Sequence, residues 1–167
     1  ACIAGLSRVE RPDLVISLGS AGSRTLPQGE VFQISSVSYR DMDASPLGFE
    51  KGQTPFSDLP ATIVVKQILD GLPSVSISTG ADIVNGVRYD DFSAELADME
   101  TYAHLRAAHR FNIPLIGLRG ISDGSDPIEE FSDWTRYLAH IDNELANILR
   151  TLPTEFGRKP RSYWLSV

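Results

Sequence analysis

Residues 117–126 read Gly-Leu-Arg-Gly-Ile-Ser-Asp-Gly-Ser-Asp, an apolar run that delivers Ser122 and Asp123 to its end, with Asp126 just beyond. If the run is a parallel strand, its C-terminal end is where open α/β sheets bind ligands. A carboxyl group there can protonate a leaving group, and a serine beside it can orient it. The same residues can equally cap a turn or the next helix, so their meaning depends on what surrounds them. Asp98-Met99-Glu100 supplies a second acid at the start of a predicted helix, where the helix dipole favours negative charge. Glu100 either caps that helix or accepts two hydrogen bonds from a vicinal diol, as sugar recognition requires. Gly19-Ser20-Ala21-Gly22 follows another apolar run, and its missing side chains would let a ligand approach the backbone. It has the spacing of neither a P-loop nor a dinucleotide fingerprint, and by itself it is a turn.

Other candidates carry less. Arg40-Asp41-Met42-Asp43 places two carboxylates at i and i+2, but no further oxygen ligands are spaced around them, which favours loop structure over a cation site. His104, His109 and His140 all fall within predicted helices, without a nucleophile elbow. Cys2 stands alone, so there is neither a disulfide framework nor a zinc signature. The expected chemistry uses no metal and no redox cofactor.

The elements that must position these residues follow from periodicity and turn signals. Branched apolar runs over 14–18, 74–79 and 114–120 predict buried strands, and looser alternation over 30–39 predicts another. Residues 40–60 are largely polar and punctuated by Pro46, Gly48, Gly52, Pro55 and Pro60, and read as a long loop. Ile63, Val64, Gln67, Ile68 and Leu72 suggest a helix over 61–72, ended by Gly71 and Pro73. A helix is expected over 101–112. Trp134, Leu138, Ile141, Leu145, Ile148 and Leu152 form one apolar stripe of a last helix.

Strands alternating with helices imply an α/β fold on a mostly parallel or mixed sheet. Without repeats or a linker, residues 1–167 read as one domain, with 154–167 as a C-terminal arm bearing Tyr163 and Trp164. Ala1 to Leu6 reads as the second half of a helix, so the fold is expected to start upstream of this chain. The formal charge of −7 argues against nucleic acid or an anionic membrane as the main partner. The basic run Arg158, Lys159 and Arg161 is terminal and reads as solvated. No segment is long enough to span a membrane, and a single cysteine fits a reducing, cytoplasmic setting.

Five short motifs share an order that resembles a known family. They are Leu-Gly-Ser-Ala-Gly (18–22), Tyr-Arg-Asp-Met-Asp (39–43) with Gly-Phe-Glu-Lys-Gly-Gln (48–53), Thr-Gly-Ala-Asp (79–82), Asp-Met-Glu (98–100) and Arg-Gly-Ile-Ser-Asp (119–123). Together they resemble the purine and uridine phosphorylase superfamily, most closely its methylthioadenosine/S-adenosylhomocysteine nucleosidase branch and the related AMP nucleosidases. The resemblance spans roughly residues 10–150. It implies a single α/β domain around a mixed, barrel-like sheet flanked by helices.

The resemblance also implies roles. Asp123 would be the general acid that protonates the purine at N7, with Ser122 orienting it or supporting the base edge. Glu100 would hold the ribose 2′- and 3′-hydroxyls and Met99 would lie against the sugar. Ser20, Ala21 and Gly22 would line the ribosyl and base pocket. Ile83 and Val84 take the place of an aromatic that stacks on the purine, and Arg119 joins the substrate-binding set. The ligand is a small nucleoside, and a homodimer or higher homo-oligomer is expected, with the loop over 40–60 as a contact.

Two departures shape the expected reaction. The family's water-activating Glu lies on N-terminal strands outside this chain. Ser17 and Leu18 stand where phosphorylases carry a phosphate-binding Arg, which favours water as the nucleophile. The expectation is therefore a hydrolase of purine (thio)ribonucleosides. A phosphate-dependent phosphorylase and a non-catalytic nucleoside-binding homologue are the alternatives.

Overall fold

The computed structural model describes Gly5 and residues 12–124, 126 and 128–158, with side chains as far as Leu152. Among the described residues six strands form the sheet: β1 (Val15–Gly22), β2 (Val31–Tyr39), β3 (Thr62–Val64), β4 (Ser74–Thr79), β5 (Leu96–Asp98) and β6 (Leu115–Asp123). From residue 12 onward, the α-helices among the described residues are α1 (Thr101–Arg110), α2 (Phe131–Thr135) and α3 (Leu138–Arg158). The strand order is β3-β2-β4-β5-β1-β6, and β6 also pairs with β2, so five strands close on themselves and β3 rides outside on β2. The sheet is mixed: β1–β6, β2–β4 and β4–β5 are parallel, whereas β1–β5 and β2–β6 are antiparallel. A single α/β domain with a barrel-like sheet is thus the architecture, as the sequence suggested.

β6 is the wall shared by two cores, and it is buried at every position. Leu115 and Ile121 join the cluster that includes Ile34, Ile77 and Leu105, while Ile116 and Leu118 face Ile141 and Leu145 of α3. Burial on both faces explains why the strand reads as a continuous apolar run rather than an alternating one. Two glycines set the approach distances. A Cβ on Gly117 would press on Ile34, and one on Gly120 would meet three Ile141 side-chain atoms at 3.0 Å or less. We therefore expect Gly120→Ala to push α3 off the sheet and cost about 1–3 kcal/mol, as overpacking does. Urea denaturation measures it, and an unchanged midpoint would refute the close packing.

Four sequence expectations change. Residues 61–72 do not form a helix: Ile63 is buried between exposed Thr62 and Val64 as β3 pairs with β2, and 65–69 are irregular. The cause is Gln33. Its buried amide donates to Leu69 O (2.9 Å) and Leu72 O (2.7 Å), and its oxygen accepts from Ile68 N (3.1 Å) and Leu69 N (3.3 Å). Those bonds replace the ones a helix would have made. The last helix breaks at Arg136 and Tyr137 into α2 and α3. It continues through Pro153 to Arg158, so 154–158 are helical, while the rest of the expected arm lies outside the described residues. The expected helix at Ala1–Leu6 is likewise outside them, apart from Gly5. Finally, β1 and β6 run on through Gly22 and Asp123, so the Gly19 segment and the Ser122-Asp123 pair end strands rather than form turns.

Candidate active site

A cavity of about 700 Å³ opens at the C-terminal ends of β1, β5 and β6. The register of β1 against β6 slips there: Ala21 faces Ile121 but Gly22 faces Asp123, leaving Ser122 as the extra residue. Such a bulge bends a strand and redirects its side chains. Ser122 is fully buried, and its hydroxyl donates to Asp123 Oδ1 at 2.5 Å. Asp123, only 8% exposed, lines the cavity. Burial pushes its carboxyl above the ordinary carboxylate range, and the Ser122 hydrogen bond pulls partly against that shift.

Met99 and Glu100 form another part of the wall, both exposed to the cavity. Glu100 occupies the N-cap position of α1, yet its side chain makes no capping bond. Asp98 does that work instead: Oδ2 accepts from Thr101 N at 2.9 Å and from Thr101 Oγ1, while Oδ1 accepts from Thr79 Oγ1 at 2.6 Å. Because the cap comes from two residues earlier, the Glu100 carboxylate is left to the cavity. Ser20, Ala21 and Gly22 line the same space from β1, and Ile83 and Val84 line it from the loop after β4.

Arg119 is placed differently from its expected role. Its side chain and that of Asp98 are 2% and 1% exposed, and Arg119 does not line the cavity. The guanidinium donates to Asp98 Oδ2 (3.1 Å), Thr101 Oγ1 (2.7 Å), Ser17 Oγ (3.0 Å) and the carbonyls of Ser17 (3.0 Å) and Leu118 (2.9 Å). Ser17 Oγ, already an acceptor, lies 2.9 Å from His104 Nδ1, an arrangement in which the hydroxyl donates to the ring. Arg119 thus braces the wall from behind. It supports Asp98, and through Asp98 the chain that presents Met99 and Glu100.

Arg40 also braces the wall, a part that the sequence did not reveal, but unlike Arg119 it lines the cavity. It donates to the carbonyls of Ser78 (2.6 Å), Asp98 (3.0 Å) and Asp82 (2.7 Å), tying β4 and β5 to the loop that carries Ile83. Its neighbours Asp41 and Asp43 serve loop structure: Asp41 accepts from Ala81 N at 2.5 Å and Asp43 from Ser45 N at 3.0 Å. Among the described residues, no three metal-ligating side chains converge.

Three aromatics of the cavity were also unforeseen. Tyr89 is buried in its wall, and burial together with the nearby Asp123 carboxylate raises its hydroxyl far above the ordinary phenol range. Phe131 and Trp134 pack edge to face at 5.5 Å and are 75% and 39% exposed at the rim. Trp134 therefore belongs to the site and not to the α3 core stripe where periodicity placed it. An i, i+3 aromatic pair within an acidic stretch was the available signal. A second cavity, about 150 Å³, lies between β3, α1 and the start of β6; its lining of Ile63, Leu105 and Ile113 is mostly apolar and offers little to catalysis.

Comparison with known proteins agrees with this geometry. The family model of the phosphorylase superfamily matches residues 2–152. The 5′-methylthioadenosine/S-adenosylhomocysteine nucleosidase of Haemophilus influenzae (strain PittEE) is 31% identical over 139 residues, covering 72% of this chain and 61% of that protein. The same enzyme from an Exiguobacterium species is 29% identical over 136 residues, covering 70% and 58%. The chain thus spans about three fifths of the length of these relatives. In fold it is similar to the Helicobacter pylori nucleosidase crystallised with butyl-thio-DADMe-Immucillin-A, with a TM-score of 0.79 at 20% identity over 92% of this chain and 73% of the other. A closed mixed barrel, a bulged strand end bearing Ser-Asp, and a family match over nearly all its residues lead to one conclusion: the chain belongs to the phosphorylase superfamily.

Proposed function

We propose that this chain cleaves the N-glycosidic bond of a purine (thio)ribonucleoside by hydrolysis, with Asp123 as general acid. The observation that carries the reading is the pairing, in one cavity, of a buried carboxyl whose proton affinity is raised with a second carboxylate released from helix capping. As the bond between N9 and C1′ breaks, its electron pair moves into the purine, and Asp123 neutralises the base by giving its proton to N7. The ribose gains oxocarbenium character. Glu100 accepts hydrogen bonds from the 2′- and 3′-hydroxyls and places negative charge near that cation. Water then adds to C1′ and loses a proton, giving free base and sugar.

The names of the relatives support this substrate class. So do Met99, Phe131 and Trp134, an apolar and aromatic rim suited to a thioether at the 5′ position. Water is favoured over phosphate because Arg119 is turned away from the cavity, and the two terminal nitrogens of Arg40, which lines it, already donate to protein carbonyls, leaving only its Nε unpaired among the described residues. A homo-oligomer belongs to the same reading: the loop over 40–60 exposes Leu47 (75%) and Phe56 (99%), apolar surface that a second copy would cover. Sedimentation would test that element, and a monomer would remove it.

The decisive assay incubates the protein with methylthioadenosine, adenosylhomocysteine, adenosine, inosine and AMP, with and without phosphate, and measures released base. Phosphate-independent release is expected, and a strict need for phosphate would replace hydrolysis by phosphorolysis. Glu100→Gln tests the ribose contact. It should lower kcat/KM for ribonucleosides by about 10- to 100-fold, the range for a charge-assisted hydrogen bond, and have much less effect on the binding of the free base. Equal losses for both would assign Glu100 a structural part.

A further inference from the structure

Tyr89 lies in the 3₁₀ segment Gly86–Asp91, and its ring is held among Val84, Ala97 and Phe92. It is 6% exposed and lines the cavity, yet among the described residues its hydroxyl has no hydrogen-bond partner. Leaving a buried hydroxyl unpaired is costly, so a group held this way calls for an occupant of the cavity that can pair with it. Its position narrows what that occupant offers. The hydroxyl and Asp123 Oδ2 both lie under 3.0 Å from the point where a Cβ on Gly22 would sit, which makes them neighbours across a glycine. Oδ1 is taken by Ser122, so Oδ2 is the oxygen left to face a ligand.

We infer that the Tyr89 hydroxyl binds the substituent at position 6 of the purine whose N7 meets Asp123. This rests on the nucleosidase reading above. The chemistry of the base fixes the assignment: N7 is flanked on that edge by C8–H, which offers no lone pair, and by the group on C6, which is the polar atom a neighbouring hydroxyl can reach. A phenol donates to a 6-oxo group and accepts from a 6-amino group. Tyr89 therefore selects for the presence of a polar substituent at that position rather than for one of the two. It acts on recognition of the leaving base and takes no proton in the reaction.

The test is calorimetric titration of wild type and Tyr89→Phe with adenine, hypoxanthine and unsubstituted purine. Phenylalanine keeps the ring among its neighbours and removes the hydroxyl alone. The Kd values for adenine and hypoxanthine are expected to rise about threefold to tenfold, the range for one hydrogen bond. That for unsubstituted purine should stay within about twofold. Equal factors for all three bases, or no change for any, would overturn the inference while leaving the nucleosidase reading in place. A wild-type protein that binds none of the three would overturn both.

Discussion

Asp123→Asn is expected to lower the rate of base release by about 10³-fold or more while substrate-induced stabilisation survives, since general acids commonly contribute 10²–10⁴-fold. The amide has nearly the volume of the carboxyl and can still accept from Ser122, so the bulge and the cavity wall should persist. What it lacks is a proton to give to N7. Base release and the ligand-dependent rise in melting temperature, measured on the same preparation, separate chemistry from binding. Unchanged turnover would end the general-acid assignment.

The same residue predicts two pH dependences. Turnover requires the protonated carboxyl, so in the wild type it should fall as pH rises through the raised Asp123 value. Stability follows in the same direction. The folded state holds this proton more tightly than the unfolded state, so the contribution is fully present below the ordinary carboxylate range and is lost as pH rises through the folded value. Asparagine mimics the permanently neutral form. The variant should therefore melt above the wild type at neutral pH, with the gap closing toward about pH 4. A gap that does not depend on pH would mean that desolvation of Asp123 is not its source.

The two acids were legible in the sequence because both sit at ends of elements with strong signals, the apolar run of β6 and the helical pattern of α1. The glycine-rich end of β1 was legible for the same reason. What the sequence hid was set by distant partners. Gln33 turns an apparent helix over 61–72 into a strand and an irregular segment by hydrogen-bonding backbone some 35 residues away. β5 has three residues, too few for a period to show. Tyr89 has no local pattern, and its meaning comes from Gly22 and Asp123 beside it. Asp98 looked like part of an acidic motif with Glu100, and only the structure separates the two roles, one acid capping the helix and the other facing the cavity.

That division depends on Arg119, and Arg119→Met should be severe: about 3–5 kcal/mol of stability, the usual loss when one partner of a buried ion pair is removed. For a chain of this length the melting temperature would fall by roughly 10 °C. Methionine replaces much of the aliphatic stem, so the loss is mainly that of charge and donors. Asp98 would retain its bonds from Thr79 and Thr101, but as a buried carboxylate without its cation. Adding Asp98→Asn removes the stranded charge while keeping an oxygen for the helix cap, so the double variant should recover part of the stability. If it is no more stable than Arg119→Met alone, the loss comes from packing rather than from the pair. Activity adds a second readout: because Asp98 fixes the start of α1, strain there displaces Glu100 first. The surviving folded fraction of Arg119→Met should bind free purine almost normally and ribonucleosides poorly, whereas equal weakening of both would show that Arg119 braces the whole cavity and not the sugar side of it.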